Sequence, residues 1–243
     1  MFSFDKRSLY IVLGIIVLIN LINLGTAGIV STLLTIPGVL IAIGFHEFAH
    51  AWMAVKLGDD TPKLQGRLSI DPLKHIDPVG ILMLLFCGIG WGRPVEINSY
   101  NFKEKYRNNG EALVSLAGPM MNFIMALILS IILGAILKFS SIAFYSSTVG
   151  GVIITMVQYA IVMNIGLGVF NLIPLPPLDG SKIFIRFMPY NVRNWIYDHE
   201  MWFYMAFLVL WITNLASVIT SPFINAIYTG IMQIVALIFG FKL

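Results

Sequence analysis

The stretch Ile43-Gly44-Phe45-His46-Glu47-Phe48-Ala49-His50-Ala51-Trp52-Met53-Ala54-Val55 sets two imidazoles and a carboxylate into an otherwise apolar run. The run extends from Ile29 to Lys56 and is interrupted by Pro37 and Gly44. It is longer than the about 20 residues a helix needs to cross a bilayer. On such a helix, positions i and i+4 share a face, so His46 and His50 can offer two nitrogens to one metal ion. Glu47 lies beside that site without being a ligand, suited to accept a proton from water that the ion activates. The bland alternative is a histidine pair satisfied by packing. Three ionisable groups within five residues of a membrane helix argue against it, because each is costly there unless it has a function.

Composition sets the same frame. Of 243 residues, 58% are apolar and 11% charged, too little charge to keep the surface of a soluble domain wet. The mean hydropathy of +0.87 agrees. A cytosolic enzyme, a disordered chain and a nucleic-acid binder are excluded, and an all-α polytopic membrane protein remains. The lone Cys87 sits in an apolar run and reads as a packing thiol, with no disulfide or thiolate cage available.

Outward from the histidine pair, about six crossings are expected: 9–27, 29–56, 113–137, 151–172, 202–219 and 223–241, the last two separated by a Ser221-Pro222 turn. The first has a basic start and a Gly25-Thr26-Ala27 end that imitate a signal peptide, but its length favours a retained helix. Val79 to Ile89 is apolar but too short to cross, and reads as a re-entrant or interfacial piece. Six crossings put both termini and the loops 57–112 and 173–200 on one face. Every Lys and Arg except Lys138 then lies on that face, which makes it cytoplasmic.

A catalytic zinc site wants three protein ligands. His75, His199, Glu96, Glu104 and Glu111 are candidates in polar loops or at a helix start. Asp179 stands out. It closes Asn171-Leu172-Ile173-Pro174-Leu175-Pro176-Pro177-Leu178-Asp179-Gly180, where three prolines stop the helix and leave an irregular segment. Spans two and four both end on the cytoplasmic face, so His46, His50 and Asp179 are expected at one level, one to two turns inside the boundary.

These motifs, with Ser115-Leu116-Ala117-Gly118-Pro119-Met120-Met121-Asn122 opening a later helix, resemble the site-2 protease family of intramembrane zinc metalloproteases. Gly66-Arg67-Leu68-Ser69 and Asp71 to Gly80 are similar to its short prokaryotic branch. The resemblance implies His46, His50 and Asp179 as ligands of one Zn²⁺ and Glu47 as catalytic base. It implies that Asn122 lies near the centre, facing substrate or a developing oxyanion, and that Asn171 shapes the segment leading to Asp179. The PDZ and CBS modules of larger members are absent from this sequence.

The expectation is a single integral membrane metalloprotease domain over 1–243, with a core at about 29–180 and accessory helices at 9–27, 202–219 and 223–241. It would hydrolyse a peptide bond in or near the transmembrane segment of a membrane protein, from a site in the lipid bilayer that opens to the cytoplasm. Val95-Glu96-Ile97-Asn98 alternates as a small β element on which an extended substrate can add. Helix-breaking residues are expected near the cut. The competing readings are a metal transporter, which would repeat ligands along several spans, and a non-catalytic metal-binding membrane protein or scaffold, which would usually have lost a ligand or the base.

Overall fold

The computed structural model describes residues 6–87 and 92–241, and among them every regular element is a helix. Besides three short 3-10 turns at Pro72–Lys74, Ser99–Asn101 and Glu104–Tyr106, the α-helices in chain order are α1 (Lys6–Leu57), α2 (Thr61–Leu64), α3 (Pro78–Cys87), α4 (Gly110–Phe139), α5 (Ile142–Tyr145), α6 (Thr148–Asn171), α7 (Asp179–Ile185), α8 (Tyr190–Asp198), α9 (Glu200–Ile212) and α10 (Leu215–Phe239). Four of them are long and apolar enough to cross a membrane: the Gly25–Leu57 part of α1, α4, α6 and α10. The chain is therefore an all-helical membrane protein.

The frame is the mutual packing of α1, α4 and α6, with α10 laid against α4 and α6 and α3 against α1. Small residues allow the close approach. A Cβ on Gly38 of α1 would fall 2.7 Å from the Cα of Ala160 on α6, so the two backbones touch where a larger residue would part them. Above that contact, Ala126, Leu129 and Leu133 of α4 interdigitate with Ile161, Ile165 and Val169 of α6.

Spans two, three and four lie where the apolar runs place them. Before them, the 9–27 run is helical in backbone as far as Gly25, whose φ of 62° kinks α1. The C-terminal part differs from expectation. The break falls at Asn214, not at Ser221-Pro222: Asn214 takes the left-handed conformation (φ 61°) that a short amide side chain tolerates. Pro222 instead sits inside α10, and the Ser221 hydroxyl donates to the Val218 carbonyl that the proline leaves without its usual amide donor (3.4 Å). The segment before the break, α9, is thus only 13 residues long, about 20 Å.

The expected short piece at Val79–Ile89 is α3, ten residues packed on α1; Gly88 and Ile89 lie outside the described residues. Val95–Asn98 forms no strand. The pairing found among the described residues is an isolated antiparallel bridge between Ile76 and Gly92. The stretch keeps a strand's alternation, with Val95 and Ile97 half-buried and Glu96 and Asn98 exposed, but it has no neighbouring strand to form a ladder.

Candidate metal centre

His46 and His50 project from one face of α1 towards α4 and are nearly fully buried, 6% and 8% exposed. Their rings stand perpendicular with centroids 4.6 Å apart. Each ring has one nitrogen tied to the frame. The Nδ1–H of His46 donates to Asn122 Oδ1 (2.7 Å), and the Nδ1–H of His50 donates to the Val114 carbonyl (2.7 Å). Those two bonds leave both Nε2 atoms as lone-pair donors, the arrangement a metal-ligating imidazole needs.

Asp179 meets them from the first residue of α7, delivered by the turns at 172–178. Its Oδ2 lies 3.1 Å from His46 Nε2 and 3.2 Å from His50 Nε2, and the two Nε2 atoms are 3.0 Å apart. Four-coordinate zinc with 2.0–2.1 Å bonds has ligand atoms about 3.3 Å from one another, so the three sit close to the corners such an ion requires. Among the described residues, this is the one group of His, Cys, Asp or Glu that can hold a metal ion.

The other ligand candidates are engaged elsewhere. His75 is fully buried, with Nε2 on the Ser69 carbonyl (2.7 Å), and His199 Nδ1 bonds the Trp195 carbonyl. Glu96 accepts from Gln65, while Glu104 and Glu111 are exposed.

Asn122 is fully buried, and both ends of its amide are used. Besides holding His46, its Nδ2 donates to the Ala42 carbonyl (2.9 Å) and to Asn164 Oδ1 (3.2 Å), and Asn164 in turn donates to Ala160 (2.8 Å). In this structure it holds the His46 ring from the side away from Asp179 Oδ2. Asn171 donates to the Leu167 carbonyl (3.0 Å) at the end of α6, where the irregular segment begins. Asn164 was legible as an amide inside an apolar run, a position that asks for a partner. Gly118 was less so. A Cβ there would fall 2.5 Å from His50 Nε2 and 2.7 Å from His46 Cε1, so α4 can pass the imidazoles only with a glycine at this point.

Glu47 is half-buried beside the centre. Its Oε2 accepts from the Val95 backbone N–H (3.1 Å), on the segment that crosses the opening. Together these groups line a cavity of about 510 Å³ that also reaches Ser115, Pro177 and Lys182. A second, mostly apolar cavity of about 790 Å³ adjoins it through Ile43, Leu84, Leu167, Phe170 and Trp211. The far end of the crossing segment is anchored by buried Asp59, which accepts from Asn98 N (2.6 Å), Thr61 N and Oγ1, and Asn101 Nδ2. Burial pushes the Asp59 carboxyl up, and these four donors more than reverse it, leaving it below its ordinary value.

Residues 134–213 match the model of peptidase family M50. The chain is 39% identical over 202 residues to "Putative zinc metalloprotease YwhC" of Bacillus subtilis (strain 168), covering 82% of this chain and 90% of that protein. It is 26% identical over 187 residues to "Putative zinc metalloprotease Rip2" of Mycolicibacterium smegmatis, covering 74% and 67%. Against the Rip2 of Mycobacterium tuberculosis the identity is 31% over 153 residues, 60% of this chain and 54% of the relative. No solved structure matches the chain.

Proposed function

The chain belongs to peptidase family M50, the site-2 proteases, and is a zinc metalloprotease; from that premise we propose that it hydrolyses a peptide bond within or beside the transmembrane segment of a membrane protein. The observation that carries the reading is the convergence of His46 Nε2, His50 Nε2 and Asp179 Oδ2 within 3.2 Å of one another, with the Glu47 carboxylate alongside.

His46, His50 and Asp179 are the proposed ligands. A zinc ion held by them supplies a Lewis acid for the scissile carbonyl and brings the pKa of water near neutrality. Asn122 and the Val114 carbonyl keep the two imidazoles in the ligating tautomer. Glu47 is the general base. It takes a proton from the attacking water as the water oxygen bonds to the carbonyl carbon, and it returns that proton to the amide nitrogen as the C–N bond breaks.

The proposed topology has six crossings, the 13-residue α9 being a short fifth one met by local thinning of the bilayer, with both termini and the opening of the site on the cytoplasmic side, the face that gathers every Lys and Arg but Lys138. The core of the single domain is 29–180, and the helices on either side are accessory. Substrate enters as an extended segment laid beside Val95–Asn98, while its apolar continuation occupies the 790 Å³ cavity next to the centre. Helical substrates hide their amides, so a helix-breaking residue near the cut is part of the reading.

The test is a purified protein, its metal content, and a panel of quenched-fluorescent single-span peptides with and without a central Gly-Pro break. One zinc per chain, cleavage of the broken helices and loss of cleavage in Glu47→Gln with zinc retained are expected. Equal cleavage by parent and Glu47→Gln would remove Glu47 as the base.

A further inference from the structure

Arg67 is 8% exposed, and among the described residues it forms no ion pair. The hydrogen bonds its guanidinium makes all go to backbone carbonyls. Nη1 donates to Lys74 O, and Nη2 donates to Arg93 O and to Pro94 O (3.0 Å). A buried cation that forms no salt bridge is expensive even with the Glu47 and Glu96 carboxylates in its vicinity, and such a group is retained where its geometry has a use. The use lies in what the three carbonyls belong to. Lys74 precedes buried His75, whose own carbonyl accepts from Arg93 N (2.7 Å), and the Ile76–Gly92 bridge closes the same pair of segments. Arg67 is thus the rivet through a small platform that fixes residues 92–94.

The next residue is Val95, whose N–H bonds Glu47 Oε2 at 3.1 Å. Three residues further on, Asp59 holds Asn98 N. The crossing segment is pinned at both ends, and between the pins it presents one amide to the catalytic carboxylate. We infer that Arg67 is a positioning residue for the base: by clamping the Arg93 and Pro94 carbonyls it sets the Val95 N–H against Glu47 Oε2, so that Oε1 is the atom left to take the proton. The inference rests on Glu47 being the base. Only a planar fork with several fixed donors can hold three carbonyls at once, and a lysine ammonium cannot reach all of them from one point.

The experiment uses full-length protein and the quenched single-span peptide with a central Gly-Pro break. Arg67→Lys, Val95→Pro, which deletes the N–H itself, and the double variant are compared for zinc content, kcat and KM. Hydrogen exchange is followed in the peptide covering 92–98. Arg67→Lys is expected to keep its zinc and a KM within about twofold, to lose about 10- to 100-fold in kcat, and to exchange faster at 92–98. Val95→Pro reproduces the kcat loss, and the double variant falls no further than Val95→Pro alone, because Arg67 acts through that amide.

Unchanged kcat in Arg67→Lys, a rise in KM alone, loss of zinc, or multiplied losses in the double variant would each overturn the inference. Should Arg67→Lys fail to fold, Val95→Pro decides it, since parent-like kcat there leaves Arg67 nothing to act through. Glu47→Gln separates the two levels. If it cleaves like the parent, the reading of the base has failed; if it is dead while Arg67→Lys is parent-like, only this inference has.

Discussion

Asn122 and Leu133 lie three turns apart on α4, equally buried, in surroundings of opposite kind. Around Asn122 every polar atom is paired: with His46, with Ala42, with Asn164 and through it with Ala160. The cluster around Leu133 is built of side chains of α4 and α6 with α10 packed against it, and among the described residues the buried Ser130 hydroxyl has no hydrogen-bond partner. In a membrane neither region gains much from leaving water, so the apolar one contributes packing and stiffness. The polar one contributes little stability for its desolvation. It exists because two imidazoles and a carboxylate must be held at one level, and the stiff region is what holds them there.

The sharpest way to test that contrast is to remove a ligand. Asp179→Ala should leave the chain folded, abolish stoichiometric zinc by elemental analysis and lower cleavage about 10³-fold or more. Full zinc affinity in that variant would take Asp179 out of the site. One layer back the effect shrinks. Asn122→Ala frees the His46 ring and should weaken zinc binding by about 10- to 100-fold in competition with a chelator. Gly118→Ala drives a methyl into the same rings and should do comparable damage, whereas Gly151→Ala, where a Cβ meets nothing within 4 Å, should bind zinc like the parent.

In the apolar region the same size of change should alter a different property. Leu133→Ala leaves a cavity among close-packed neighbours, costs about 2–4 kcal/mol of stability and lowers the thermal midpoint in detergent. Zinc content and kcat at low temperature should stay at parent values. Loss of zinc there would erase the distinction between the regions.

The smallest effect concerns Asp59. Its folded carboxyl sits below its ordinary value, so the stability it contributes is complete above the unfolded-state value of 3.8 and is lost as pH falls through the lower folded value. Thermal midpoints measured against pH should drop on the acid side in the parent, and less so in Asp59→Asn.

How much of this was readable beforehand follows the range of the interactions. His46, Glu47 and His50 are within five residues on one helix, so their spacing alone gives their common face. Asp179 was reachable because two helices ending on one side of a membrane put it at the same level. The three central helices follow from long apolar runs. What could not be read depends on atoms distant in sequence. The direction in which Asn122 points is decided by His46 and Asn164 on two other helices. Gly118 matters only because imidazoles of α1 pass it, and the Arg67 fork is defined by carbonyls up to 27 residues away. The C-terminal break was misplaced for a local reason. Proline is the stronger helix breaker by composition, but inside a membrane a neighbouring serine can serve the carbonyl it frees, while Asn214 enters a left-handed turn at little cost.

The most direct test of the centre is zinc K-edge X-ray absorption on the purified protein, read alongside His50→Ala. Two imidazole nitrogens with oxygen ligands at about 2.0–2.1 Å, falling to one imidazole in the variant, is the expected result. A sulfur shell, or an imidazole signal unchanged by His50→Ala, would contradict a zinc centre built from His46, His50 and Asp179.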